Sequence, residues 1–222
     1  MNRYPVVLSW MITLLIPVFL LMTAIRLLIT PIYPQLEYRA PGFPPDTYGF
    51  SLDERLHWAT ISIDYLTNNA GIEYLADQRL ADGSSLYNPR ELSHMLDVKI
   101  LVKQMIFAWY VIGAALIALV FWAWRSGWLV ELLYGLKRGG WLAIGLIVTI
   151  LVAVVLSFSA LFTAFHRVFF TGDTWLFAYS DSLIRLFPMR FWQDAFILVG
   201  AFTLLGGMLA IYAGRKWLQN VR

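Results

Sequence analysis

Four long runs of apolar residues set the pattern of this chain, at approximately residues 6–30, 100–124, 141–164 and 192–213. A helix needs roughly 20 apolar residues to cross a bilayer, so each run is long enough to span. The first run is longer than a signal-peptide core and no small-residue cleavage site follows it, so we expect an uncleaved span, kinked at Pro17. The pattern predicts an all-α integral membrane protein, a bundle of four transmembrane helices forming a single domain over residues 1–222.

The composition supports this interpretation. Hydrophobic residues make up 59% of the chain and charged residues only 14%, with a mean hydropathy of +0.65. A soluble protein would have about a quarter of its residues charged. The chain contains no cysteine, which excludes disulfides, thiolate nucleophiles and cysteine-based metal sites.

The distribution of charge predicts the orientation in the membrane. The connection at 31–99 carries a net charge of −5, whereas the termini and the connection at 125–140 together carry +6. Positive charge favours the cytoplasmic side, so we expect both termini in the cytoplasm and the loops 31–99 and 165–191 outside. The charged residues on the predicted cytoplasmic side are Arg3, Arg125, Glu131, Lys137, Arg138, Arg215, Lys216 and Arg222.

The first outer loop, 31–99, is too long to be a simple connector. Its five prolines between positions 31 and 45 argue against a regular helix there. From position 51 onward, apolar residues recur at helical spacing, and Ser51 with Glu54 predicts a capping box. We expect an amphipathic helix with Arg55 and Ser62 on its polar face and Tyr65 in the headgroup layer. It either lies on the membrane and shapes a substrate entrance or packs on the bundle.

A second helix start lies at Asn88, with Pro89 in the first helical position and Glu91 completing the cap. No proline or glycine follows before position 113, so this helix should continue into the second span. Arg90, His94 and Asp97 then share one helix face. The second outer loop, 165–191, is rich in aromatic residues and should lie in the membrane interface, with a turn at 187–188 before the last span.

His94 and His166 are the main candidates for chemistry, because they lie just outside adjacent spans on the same predicted side. An imidazole exchanges protons near neutral pH, so the pair suggests acid–base chemistry on a lipid-borne group. The alternative is that each is an amphipathic side chain at a tolerant depth, which is the interpretation we favour for His57. Arg26 and Lys103 lie near the outer ends of their spans, where they either snorkel to headgroups or face inward and hold a phosphate or an oxyanion.

Other kinds of site find no support in the pattern. The chain has no nucleophile elbow, phosphate-binding loop or HExxH motif, and no spacing supports a zinc site. We therefore expect no metal, no cofactor and no nucleic-acid partner.

Two stretches resemble a known family. The run from Arg90 to Lys99 resembles the element RExxHMxDVK, and the run from Phe165 to Phe170, followed by Trp175, Asp181 and Phe187-Pro188, resembles FHxxFF…W…D…FP. Both are elements of the bacterial lipoprotein intramolecular transacylase (Lit) family of four-helix membrane proteins. The resemblance implies residence in the bacterial cytoplasmic membrane, with an active site that faces outside.

The resemblance also implies a reaction. The substrate would be a lipoprotein whose N-terminal cysteine carries a thioether-linked diacylglyceryl group. The enzyme would move the sn-2 acyl chain onto the α-amino group of that cysteine, leaving a lyso-form, N-acylated lipoprotein without a covalent enzyme intermediate. His94 would act as the base, oriented by Asp97 or another acid, and His166 as the acid or oxyanion stabiliser, although the two assignments are interchangeable. The candidates for substrate binding or oxyanion stabilisation are Arg90, Arg26, Glu91, Lys103, Trp175 and Asp173.

Two alternatives stay open at the level of sequence. The chain could be a non-enzymatic membrane module that binds lipid or a protein partner. It could also be a different lipid-directed hydrolase or acyltransferase that uses the same pair of histidines.

Overall fold

The computed structural model describes residues 4–221, and the side chains of residues 4–220, all of them in helices, turns and coil apart from one isolated bridge between Arg79 and Ser85. Arg3 and Arg222, which entered the charge argument, lie outside this part of the chain. The helices are α1 (Tyr4–Leu28), α2 (Ile32–Glu37), α3 (Leu52–Thr67), α4 (Glu73–Ala76), α5 (Pro89–Ser126), α6 (Leu129–Phe169), α7 (Ser182–Leu186) and α8 (Met189–Val221).

Helices α1, α5, α6 and α8 are long and apolar enough to cross a membrane. The expected all-α membrane fold with four transmembrane helices is thus confirmed. The connection expected at 125–140 is shorter than predicted, because α6 already begins at Leu129. Gly127 makes the turn between α5 and α6 with a φ of +75°, a conformation that glycine adopts without strain. The basic residues beyond it, Lys137 and Arg138, lie within α6.

The chain divides into two compact units, and each long helix contributes to both. The first unit contains the described residues of Met1–Leu27, Ile106–Leu156 and Phe196–Arg222. Close backbone approach holds its helices together. A Cβ atom at Gly140 of α6 would lie 2.7 Å from the carbonyl oxygen of Gly207 in α8. Small residues at such crossings let membrane helices approach closely.

The second unit contains Leu28–Met105 and Ser157–Ala195, including the four short helices. Helix α2 corrects the expectation that prolines exclude a helix there. Pro31 lies at its N-terminal boundary and Pro34 in its first turn, where a missing N–H breaks no intrahelical bond. Two tyrosine hydroxyls of this region bond distant carbonyl oxygens, from Tyr33 to Phe191 at 2.8 Å and from Tyr38 to Leu186 at 2.5 Å.

Helix α3 has the predicted capping box, in which Ser51 and Glu54 exchange hydrogen bonds. Its faces differ from the prediction, because Arg55, Ser62 and Tyr65 are all buried. The guanidinium of Arg55 lies over two aromatic rings, the Ser62 hydroxyl bonds the Tyr87 hydroxyl at 2.6 Å, and the Tyr65 ring lies under the Lys99 ammonium at 3.8 Å. Tertiary partners therefore bury residues that the pattern alone assigned to water or headgroups. This packing supports the second interpretation of α3.

Candidate active site

The two histidines lie side by side within the second unit. Their ring centroids are 5.9 Å apart with an angle of 26° between the planes, and the residues are 7% and 8% exposed. His94 lies in the second turn of α5, which begins where Asn88 caps the helix through its side-chain oxygen. His166 lies in the last turn of α6. The two helix ends thus bring together imidazoles that are 72 positions apart.

Aromatic rings from the segment after α6 surround the pair. The Phe170 ring lies 4.9 Å from the His94 ring and 5.5 Å from the His166 ring. Phe177 packs on His94 at 5.4 Å, and Trp175 packs on His166 at 4.9 Å. The predicted aromatic loop therefore covers the histidines in the structure.

One hydrogen bond defines the protonation pattern of His166. Its Nδ1 lies 2.8 Å from the carbonyl oxygen of Phe162, one turn earlier in the same helix. A carbonyl oxygen only accepts, so Nδ1 carries the hydrogen and Nε2 of the neutral ring is the basic nitrogen. In contrast, the Nδ1 of His94 is buried and has no hydrogen-bond partner in the part of the chain that the structure describes. Buried polar groups are normally hydrogen-bonded, so this atom is available to a substrate group.

Asp97 does not orient His94 in the structure. Although it lies one turn after His94 on α5, no hydrogen bond joins the two side chains within residues 4–220, and the His94 Nδ1 is unpartnered. The spacing puts both residues on one side of α5. The His94 ring, however, packs sideways against His166, and the short Asp97 side chain does not bond it. A backbone carbonyl orients His166, and His94 packs against that ring.

Arg90 and Glu91 have structural partners. The Arg90 Nη1 donates to the carbonyl oxygen of Leu176 at 3.0 Å, which ties α5 to the segment that covers the histidines. The Glu91 carboxylate is 1% exposed and accepts from the backbone N–H groups of Asn88 and Leu183, both at 2.7 Å. It thereby completes the predicted cap and joins α5 to α7. Both oxygens of Glu91 thus have structural partners, and substrate binding by this residue stays a prediction.

The remaining candidates lie elsewhere. The Lys103 ammonium donates to the Asn69 side chain at 2.7 Å and so holds the turn after α3. Asp173 is exposed, and its backbone oxygen accepts from the N–H of Leu176 at 3.1 Å. Arg26 lies half-buried in the last turn of α1, in the first unit. Its role at the oxyanion stays a prediction.

A carboxyl pair at Glu37 and Asp194 gave no signal in the sequence. Glu37 is 6% exposed, its Oε1 has no partner, and its side chain hydrogen-bonds to Asp194, which also pairs with Arg190. Burial first, and then the hydrogen bond and charge of Asp194, raise the pKa of Glu37 to about 7. A single acid among prolines and another at the start of a span do not reveal such a pairing before the fold is known.

Comparison with known proteins extends these findings. A family described as "Lipoprotein intramolecular transacylase Lit" matches residues 10–192. An uncharacterized protein of Aquifex aeolicus is 29% identical over 218 residues, or 96% of each chain. A solved structure of the membrane integral lipoprotein intramolecular transacylase Lit from Bacillus cereus superposes with a TM-score of 0.81 at 18% identity, covering 99% of this chain and 98% of that one. A variant of that protein with one histidine replaced by arginine gives a TM-score of 0.68 at 20% identity, covering 96% and 93%.

Because the sequence identities of the structural matches are low, these matches show a shared fold and nothing more. The family match spans most of the chain and both motif regions up to the start of α8. The chain therefore belongs to the lipoprotein intramolecular transacylase (Lit) family of membrane acyltransferases.

Proposed function

We propose that this protein moves the sn-2 acyl chain of a diacylglyceryl-cysteine lipoprotein to the α-amino group of the same cysteine. The product is an N-acylated, lyso-form lipoprotein. We place the reaction at the outer face of a bacterial cytoplasmic membrane with both termini in the cytoplasm, as the charge distribution predicts. The observation that carries the proposal is the buried stack of His94 and His166, with 5.9 Å between ring centroids.

The reaction needs three proton transfers. An α-amine with an ordinary pKa of about 7.7–8.0 is mostly protonated at neutral pH, so it must lose one proton before it attacks the ester carbonyl and a second one to become an amide. The glycerol oxygen that leaves must gain one. A positioned imidazole accelerates each kind of transfer, typically by a factor of roughly 10² to 10⁴. Amine and ester belong to one molecule, so holding them together supplies much of the remaining rate enhancement.

The tautomer of His166 supports a reversal of the roles that the sequence favoured. Its Nδ1–H is committed to the Phe162 carbonyl, which leaves Nε2 as an acceptor for the amine proton. His94, with its unpartnered Nδ1, then hydrogen-bonds to the reacting ester and donates a proton to the departing glycerol oxygen. Water takes the first proton of the ammonium group, Nε2 of His166 takes the second from the nitrogen of the tetrahedral intermediate, and a protonated His94 gives one to the glycerol oxygen. After product release, exchange with water removes the proton from His166 and restores the one on His94.

Substrate must reach rings that are almost fully covered. The covering segment has exposed apolar side chains of its own, since Leu176 is 46% and Tyr179 81% exposed. We propose that acyl chains enter sideways from the lipid and displace Phe177 and Trp175 from the histidines. Closure over the bound substrate then excludes water, which favours acyl transfer over hydrolysis.

The test is co-expression of a diacylated lipoprotein with wild-type protein, His94→Ala, His166→Ala and His57→Ala. Transfer from oxygen to nitrogen leaves the intact mass unchanged, so the N-terminal lipopeptide is analysed by tandem mass spectrometry before and after mild alkali. Wild type should yield a lipopeptide that keeps one alkali-stable, amide-linked chain. His94→Ala and His166→Ala should yield a lipopeptide that loses both chains to alkali.

His57→Ala is the matched control, because this third histidine is exposed on α3. It should retain wild-type conversion. If His94→Ala and His166→Ala both convert the lipoprotein at the wild-type rate, the proposed roles of the two histidines are wrong. Release of a free fatty acid with wild type, in place of an amide, would show that the protein is a hydrolase.

A further inference from the structure

A cavity lies in the second unit away from the histidines. Its volume is about 320 Å³, and none of its lining residues belongs to the histidine cluster. The loop between α2 and α3, the start of α3 and the region around α7 form its walls. The lining includes Pro44, Asp46, Tyr48, Arg55, Tyr179 and Arg185.

Arg55 is the unusual member of this lining. It is 4% exposed, its Nη1 donates to the Pro44 carbonyl oxygen at 2.9 Å, and its Nε is buried without a partner. The guanidinium lies 4.7 Å from the Tyr38 ring centroid and 5.2 Å from that of Phe43. None of the ion pairs found among residues 4–220 includes Arg55. A buried cation without a carboxylate is costly, and burial accordingly lowers the pKa of Arg55.

The other charges around the cavity do not remove this imbalance. Arg185 binds Asp46 through Nη2 at 2.9 Å and through Nε at 3.3 Å, and its guanidinium lies 3.4 Å from the Phe50 ring centroid. Asp46 is therefore already engaged by one guanidinium. Two arginines and one aspartate leave the cavity with one surplus positive charge.

We infer that this cavity binds a phosphate-bearing anion, namely the phosphodiester headgroup of a membrane lipid. Guanidinium groups bind phosphate oxygens through paired N–H donors, and Arg55, which lines the cavity, has an Nε–H without a hydrogen-bond partner among the described residues. Tyr48 and Tyr179 are 52% and 81% exposed at the cavity, and amphipathic aromatic side chains suit the headgroup layer. A free phosphate ester has the same recognition chemistry, so the experiment must separate the two sources.

The test uses the full-length protein in nonionic detergent with three probes: phosphatidylglycerol, diacylglycerol and glycerol 3-phosphate. Binding is followed by native mass spectrometry and by the ligand-induced rise in unfolding temperature. Wild type should bind phosphatidylglycerol roughly tenfold more tightly than diacylglycerol, and Arg55→Gln should lose that preference. Arg39→Gln is the matched control, because Arg39 is exposed in the same unit and donates to the carbonyl oxygen of Gln35, one turn earlier in the chain.

Asp46→Asn keeps the inference testable if Arg55→Gln does not fold. Removing this carboxylate raises the surplus positive charge, so phosphatidylglycerol should bind severalfold more tightly and with a steeper dependence on salt. A response to the lipid alone identifies the headgroup as ligand, and an equal response to glycerol 3-phosphate identifies a soluble phosphate ester. Equal binding of phosphatidylglycerol and diacylglycerol by wild type, or an unchanged preference in Arg55→Gln, would overturn the inference.

Discussion

The substitution Glu37→Gln tests the electrostatics of the second unit. Glu37 is buried next to Asp194, and its pKa of about 7 is raised from an ordinary value of 4.5. Between those two pH values the folded protein binds more protons than the unfolded chain. Stability should therefore fall as the pH rises from about 4.5 to about 7, and should stay at the lower level above that.

The size of the effect follows from the pKa difference. At about 1.36 kcal/mol per unit, the shift from 4.5 to about 7 corresponds to at most about 3 kcal/mol. For a chain of this length, that energy translates into roughly 6–12 °C of unfolding temperature. Glutamine stays neutral and can donate its amide N–H to Asp194, as the protonated acid does. The variant should therefore match wild type near pH 5 and exceed its unfolding temperature at pH 8.

The assay is thermal unfolding of purified wild type and Glu37→Gln in one detergent between pH 5 and pH 8.5. The difference between the two proteins cancels the titration of the groups they share. Glu73→Gln is the control, since Glu73 is exposed in the first turn of α4 and its replacement should leave the pH profile unchanged. An unfolding temperature for Glu37→Gln that tracks wild type at every pH, or falls below it at pH 8, would refute the reasoning.

Three further predictions concern packing and caps. Gly140→Ala should lower the unfolding temperature, with a cost of about 1–3 kcal/mol, because its Cβ would meet backbone in the facing helix, whereas Gly145→Ala on the same helix has open space and should be neutral or slightly stabilising. Glu91→Gln places an amide N–H₂ against backbone donors and should cost about 1–3 kcal/mol, seen as faster proteolysis of the second unit. Arg90→Gln should free the segment at Leu176, raising its hydrogen exchange while the exchange of α1 stays unchanged. Unaltered unfolding, proteolysis or exchange, respectively, would contradict each expectation.

The parts of the fold that were predictable depend on local signals. The four membrane-length helices follow from the length of the apolar runs, since a bilayer fixes the number of residues needed. The helix starts at Ser51 and Asn88 follow from side chains that bond N–H groups two or three positions away. The turn before the last span follows from Pro188. Each of these features involves residues that are close in sequence.

The parts that were missed depend on contacts between distant residues. The pattern along α3 predicts a water-facing Arg55, because the rings of Tyr38 and Phe43 that cover it belong to another segment. Spacing alone predicts that Asp97 orients His94, and the structure shows no hydrogen bond between the two side chains among residues 4–220. The Phe162 carbonyl that orients His166 carries no side-chain signature at all, so no pattern of residue types could reveal it.

The bond from His166 to its own helix has a wider meaning. Enzymes often hold a reactive imidazole with a carboxylate, which brings a negative charge that must itself be accommodated. Here the partner is a peptide oxygen four positions back in the chain. This carbonyl oxygen never titrates and carries no net charge. It therefore fixes the His166 ring beside hydrocarbon without adding a charged group. In the proposed reaction no third side chain is needed to hold His166, and both proton-transferring groups come from two helix ends.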